Sequence, residues 1–260
     1  MPVLSASGLT RTFMTKHGPV DAVRGIDLTA ERGEILGLLG PNGAGKTTTL
    51  RMLTTLLAPT GGTATVAGHD LARDPVGVRR VTGYVAQSGG ADPTLSVREE
   101  LLTQARLYRL TARQAALRAE ELTADLGLTE LLERRTAALS GGQRRRLDLA
   151  MGLVHRPAVL FLDEPTTGLD PGSRADLWDL VRHLRDTHGT TVFLTTHYLD
   201  EADALADRLV VVDRGRVVAD DTPGALKQAH AGSADASLQD AFLALTGRGP
   251  APQETAPVAV

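Results

Sequence analysis

The sequence contains no cysteine, which excludes a disulfide framework, a thiolate nucleophile and a cysteine-based metal site. It has no excess of positive charge either. Twenty-eight Lys and Arg face 31 Asp and Glu, and a net charge of −3 argues against a general nucleic-acid-binding surface. No apolar run approaches the roughly 18 residues that a membrane-spanning helix needs. The amino-terminal stretch MPVLSASGLTRTF lacks the charged-then-apolar order of a secretory signal, so the expected compartment is the cytoplasm. Lysine is scarce: Lys16, Lys46 and Lys227 are the only three among those 28 basic residues, so a lysine inside a motif carries weight. What is present is ordinary for a soluble α/β chain. At 260 residues, 42% apolar and 23% charged, it can bury the core of one large domain with a subdomain.

The first 70 residues or so read as short strands and turns. The stretch after Gly61-Gly62 alternates like a half-buried strand, whereas Glu34–Leu39 is continuously apolar after its first residue, as a strand covered on both faces would be. From Leu95 to about Leu132 the period turns helical, with a helix capped by Thr111 and ending at Gly127. A second βα alternation follows: a strand over 158–163, a helix over Arg174–Arg185, a strand over 191–197, a helix from Leu199 to about Ala206, and a hairpin turning at Asp213-Arg214-Gly215. The Pro/Ala-rich tail from Gly247 reads as disordered.

GPNGAGKTT, residues 40–48, fits the phosphate-loop pattern, follows a predicted buried strand and opens a helix. Its glycines let backbone N–H groups curl round phosphate oxygens, with the positive end of the helix aimed at the same place. Lys46 supplies a point charge there, and the Thr47 hydroxyl is placed to ligate Mg²⁺. VLFLDEP ends an apolar strand in Asp163 and Glu164, at the sheet edge where ligands bind in such folds. Asp163 is expected to hold Mg²⁺ through water, and Glu164 to act as general base on the attacking water.

Many phosphate-loop enzymes carry those two motifs. LSGGQ, Leu139–Gln143, narrows the choice, and with Gln87, Asp163-Glu164, the GLD ending at Asp170 and His197 it stands in the order found in ATP-binding subunits of ABC transporters, which the chain resembles over roughly residues 3–230. The resemblance implies an α/β phosphate-loop ATPase core with an antiparallel β subdomain and a helical insertion. It places the nucleotide-binding domain at 1–231, the helical subdomain at roughly 88–156, and a partly disordered extension at 232–260. It implies ATP and Mg²⁺ as cofactors. Gly40, Pro41, Asn42, Gly43, Ala44, Gly45, Lys46, Thr47 and Thr48 would bind the nucleotide, and Gln87 would ligate Mg²⁺ and report nucleotide state to a partner. His197 would contact the γ-phosphate and join Glu164 and Lys46 in catalysis, and Asp170 would cross a dimer interface. Ser140, Gly141, Gly142 and Gln143 would cover the phosphate of a second copy in a head-to-tail dimer. Phe13 is the candidate adenine platform, a position where the family usually has Tyr.

Longer stretches, among them LFLDEPTTGLDPGSR and LTTHYLDEADALADR, resemble daunorubicin-resistance-type exporter subunits. These are half-systems with a separate membrane permease, which places the chain at the cytoplasmic face of the membrane. No nucleic-acid partner is expected. The alternative is a soluble ABC-type ATPase acting on ribosomes or DNA; against it stand a single domain and an ordinary helical insertion between the phosphate loop and LSGGQ. Arg144–Arg146 read as braces of the helix after LSGGQ, with Arg144 paired to Asp148 one turn on. The other six histidines show no metal-ligand spacing.

Overall fold

The computed structural model describes residues 1–247; most of the tail expected to be disordered lies outside them. The chain opens with two long antiparallel strands, β1 (Leu4–Thr15) and β2 (Gly18–Ala30), where hydrophobic alternation predicts shorter ones. The pairing continues through register shifts beside Gly8 and Gly25, both at positive φ, so the alternation breaks while the ladder does not. Next come β3 (Ile35–Leu39), α1 (Lys46–Leu53), β4 (Gly61–Val66) and β5 (His69–Asp70), and the first sheet has the order β2-β1-β4-β5.

Then follow α2 (Pro75–Val81), β6 (Thr82–Val85), α3 (Val97–Leu107), α4 (Ala112–Asp125), α5 (Gly141–Leu153), β7 (Val159–Asp163), α6 (Pro171–His188), β8 (Thr191–Thr196), α7 (Leu199–Leu205), β9 (Arg208–Asp213) and β10 (Arg216–Asp221). The second sheet has the order β10-β9-β3-β8-β7-β6, parallel except for the β9–β10 hairpin. Successive strand residues point to opposite faces, and the core divides accordingly. Leu36, Leu38, Phe161 and Phe193 pack on α1 and the first sheet, while Ile35, Leu160, Leu162 and Leu194 pack on α5 and α6. The strand carboxyl ends therefore meet the amino end of α1 along one edge of the central sheet.

After α8 (Pro223–Ala231), at the end of the expected domain, the expected extension begins with α9 (Leu238–Thr246). Leu238, Ala241 and Phe242 fall on one helical face and bury against Leu209, Val211 and Leu226, so this part of the extension is packed helix. Among the described residues no helix is long and apolar enough to cross a membrane.

Candidate nucleotide site

The loop between β3 and α1 can be built only with glycine at two points. A Cβ at Gly40 would lie 2.3 Å from the Val212 carbonyl oxygen, and Gly45, at φ +104°, has the Ala22 carbonyl 2.5 Å from where its Cβ would stand. No side chain caps the amino end of α1, whose first N–H groups are left for a ligand. Lys46 is buried, and its Nζ donates to the carbonyls of Gly40 at 2.9 Å and Pro41 at 3.2 Å. A cleft of about 670 Å³ opens here, lined by Ala22, Asn42, Gly43, Gly45, Lys46, Thr47, Thr48, Gln87, Glu164, Thr167 and His197.

Glu164 is the hub of that cleft. It leaves β7 at φ +45°, a left-handed conformation uncommon for a non-glycine residue. Its N–H is held by both the carbonyl (3.1 Å) and the hydroxyl (3.0 Å) of Thr195. Glu164 Oε1 lies 3.3 Å from Lys46 Nζ; Oε2 accepts from Gln87 Nε2 at 3.1 Å and stands 3.2 Å from His197 Nδ1. Burial pushes this carboxyl up, but His197 and Lys46 together outweigh burial and hold it below the usual glutamate range. Burial likewise lowers the Lys46 ammonium, opposed by Glu164 and Asp163. Beside this pair, Thr47 Oγ1 donates to Asp163 Oδ1 at 2.9 Å, and Thr195 Oγ1 donates to the same oxygen at 2.8 Å. Two hard oxygen donors thus converge at the foot of the phosphate loop, a donor set that suits Mg²⁺.

Other expected site residues stand elsewhere. Ser140 caps α5 in a reciprocal box with Gln143: its Oγ accepts the Gln143 N–H at 3.2 Å, and Gln143 Oε1 accepts the Ser140 N–H at 3.0 Å. Ser140 and Gly141 are exposed, and none of Ser140–Gln143 lines the cleft of its own chain. Asp170 is the N-cap of α6, accepting from the Ser173 N–H at 2.9 Å with Pro171 next in the chain, and it too lies off the cleft. Phe13 is half-buried opposite Val20 on β2, its ring 4.7 Å from the Arg11 guanidinium, and it is not among the cleft-lining residues.

One expectation is corrected. Arg145, not Arg144, faces Asp148, at 3.7 Å. Arg145 is buried and donates to the carbonyls of Pro165 at 2.6 Å, Ala86 at 2.6 Å and Asp163 at 3.4 Å. It so ties the start of α5 to the segments carrying Gln87 and Glu164. Arg146 pairs with Asp176 at 3.0 Å, and Arg144 is exposed. Thr195, the second anchor that sequence reasoning missed, sits in the TT that closes a buried, largely apolar strand.

A buried lysine at the foot of a glycine loop, a paired carboxylate and a separate capped SGGQ turn define a nucleotide-binding cassette. The ABC transporter family model matches residues 23–167, and the chain belongs to that family. It is 52% identical to the daunorubicin resistance ATP-binding protein of Streptomyces coeruleorubidus over 82% of this chain and 66% of that one, so it spans about two thirds of that relative's length. It is 41% identical to the Nod factor export ATP-binding protein I of Burkholderia lata over 85% of this chain and 73% of that one. A dimeric ATP-binding cassette solved in a post-hydrolysis state with ADP and Pi shares the fold, with a TM-score of 0.76 at 24% identity over 84% of this chain and 98% of that one.

Proposed function

We propose that this chain is the ATP-binding and hydrolysing subunit of an exporter. Two copies pair head-to-tail around ATP and power efflux, of a drug or antibiotic-like small molecule, through a separate permease at the cytoplasmic face of the membrane. The observation that carries this reading is a division within one chain. Lys46, Thr47, Gln87, Glu164 and His197 share one cleft, with Asp163 bonded to Thr47 behind it, while Ser140–Gln143 present an uncovered, amide-rich helix start elsewhere. A second copy would bring that turn to the phosphate. The names of the relatives support export, and no observation favours action on ribosomes or DNA. In this reading residues 1–231 form the nucleotide-binding domain, with the helical subdomain over 88–156.

The phosphates of ATP would take the place of the Gly40 and Pro41 carbonyls and of Glu164 as partners of Lys46, helped by the free N–H groups at the start of α1. Glu164, released from the lysine, then accepts the proton of the attacking water; the new oxygen–phosphorus bond forms as the β–γ bridging bond breaks, leaving ADP and phosphate. His197, 3.2 Å from Glu164 in this structure, orients that water and the γ-phosphate. Thr47, Asp163 and Gln87 would hold Mg²⁺, which when bound neutralises charge on the phosphate oxygens. Gln87 leaves Glu164 in the same rearrangement, passing nucleotide state to the adjoining helical region. Phosphate release from Mg²⁺-ATP by wild type and by Glu164→Gln tests the assignment: turnover should be lost in the variant while ATP binding stays. A variant that hydrolyses at the wild-type rate overturns it.

A further inference from the structure

Glu201 is a carboxylic acid buried completely in the first turn of α7, four residues after His197. One oxygen, Oε1, accepts the indole N–H of Trp178 on α6 at 3.2 Å. The other, Oε2, is buried without a hydrogen-bond partner, and so is the hydroxyl of Thr166, which lies in the loop joining Glu164 to Asp170. Complete burial raises the Glu201 carboxyl, against the pull of Thr196, Thr166, Trp178 and Arg174. A neutral acid at this place has an O–H to donate where the Thr166 hydroxyl has lone pairs to accept.

A second set of contacts joins the same two segments. Arg174, in the first turn of α6, places its guanidinium 4.4 Å from the centre of the Tyr198 ring and donates to Asp200 at 3.2 Å. The Tyr198 ring in turn stands 4.1 Å from the His197 ring. The amino-terminal half of α6, whose N-cap is Asp170, is therefore gripped by the segment that carries His197 through two joints, Arg174 in its first turn and Trp178 one turn further on.

We propose that Glu201 is a positioning residue which, with Arg174, clasps the amino-terminal half of α6 to the Thr196–Glu201 segment, so that Asp170 and His197 are placed as one unit. This rests on the proposed ATPase reading for its consequence: contact of a second copy at Asp170 fixes His197 against the γ-phosphate. The clasp touches neither nucleotide nor metal, so its loss acts on turnover and leaves ATP binding alone.

Three full-length variants separate positioning from folding. Glu201→Gln keeps an oxygen for the indole and gains an N–H for Thr166; Glu201→Leu fills the volume without polar groups; Arg174→Met opens the second joint. Wild-type ATP affinity is expected in all three, with kcat within about twofold of wild type for Glu201→Gln and about tenfold or more lower for the other two at unchanged KM. Trp178 is the only tryptophan, so its emission reports the joint directly and should respond to ATP in wild type and Glu201→Gln but not in Glu201→Leu. If Glu201→Leu does not fold, Arg174→Met, altered at a half-buried position, carries the kinetic test by itself. Wild-type turnover in the Leu and Met variants overturns the proposal, as does a Gln variant as slow as Leu. If wild type itself releases no phosphate, the functional reading has failed, and Trp178 emission decides the clasp: the same response in Leu as in wild type, or none in any variant, overturns it.

Discussion

Lys46 Nζ and Glu164 Oε1 stand 3.3 Å apart with both side chains at least nine-tenths withdrawn from water. Each neutralises the other, so the cation and the carboxylate to which the proposed function gives phosphate binding and base catalysis occupy one another in this structure. Removing one partner of such a pair leaves the other charge buried and uncompensated, at a cost of about 3–5 kcal/mol. Lys46→Met is expected to lose stability on that scale without nucleotide. Lys46→Met/Glu164→Gln should recover most of the loss, a coupling that urea unfolding of the four proteins in a double-mutant cycle measures. Additive losses would show that the two groups do not act as a pair.

Arg145 is the buried bracket under the site, and Arg144, its neighbour, is a surface side chain. Arg145→Met leaves the Pro165, Ala86 and Asp163 carbonyls and the Asp148 carboxylate without their guanidinium, and a loss of about 3–5 kcal/mol is expected. Arg144→Ala should stay within about 0.5 kcal/mol of wild type. Equal effects in denaturant unfolding would contradict this division.

This contrast also marks what was legible in the sequence. Gly40–Thr48 and Asp163-Glu164 announce themselves because their chemistry is contiguous and sits where an apolar strand stops. Arg145 does not, because the three groups it hydrogen-bonds lie 18 to 59 residues away and are backbone carbonyls, which leave no trace in side-chain spacing, and its one nearby partner, Asp148, is equally in reach of Arg144 on spacing alone. Thr195 is hidden for a related reason, since a threonine inside a buried strand reads as β-propensity until its partner is known. The lengths of β1 and β2 were obscured by bulges that interrupt period-two alternation. The packing of α9 was masked by its place next to a Pro/Ala-rich tail.

Asp148 gives a pH dependence of defined sign. Burial raises its carboxyl, against Arg145 and the Gly90 N–H, so the folded chain binds this proton more tightly than the unfolded chain. The contribution is fully present below the unfolded value and is lost as pH rises through the raised folded value. Wild type should therefore gain stability relative to Asp148→Asn as pH falls from 7 toward about 3.9. Urea midpoints of the two proteins across that range measure it. A gap that moves the other way would place the carboxylate in a stabilising, charged role.

Thr195 uses its hydroxyl twice, donating to Asp163 and accepting the Glu164 N–H. Thr195→Val keeps the shape and removes one of two bonds at each partner, since Thr47 still reaches Asp163 and the residue-195 carbonyl still accepts the Glu164 N–H; a loss of about 0.5–1.5 kcal/mol per bond is expected. Thr195→Ser should restore most of the loss. Thermal unfolding together with phosphate release separates the stability effect from misplacement of Glu164, and a Val variant unchanged in both would remove Thr195 from the site.

The central claim is that Ser140–Gln143 of one copy complete the cleft of another, and solution mass measures it most directly. Glu164→Gln, which should bind ATP without turnover, is expected to double in mass by light scattering when ATP is added. Ser140→Asp added to that background keeps a good helix N-cap but sets a negative charge against phosphate. The double variant should bind ATP with unchanged affinity and stay a single copy. A double variant that dimerises with ATP as readily as Glu164→Gln alone would contradict the claim.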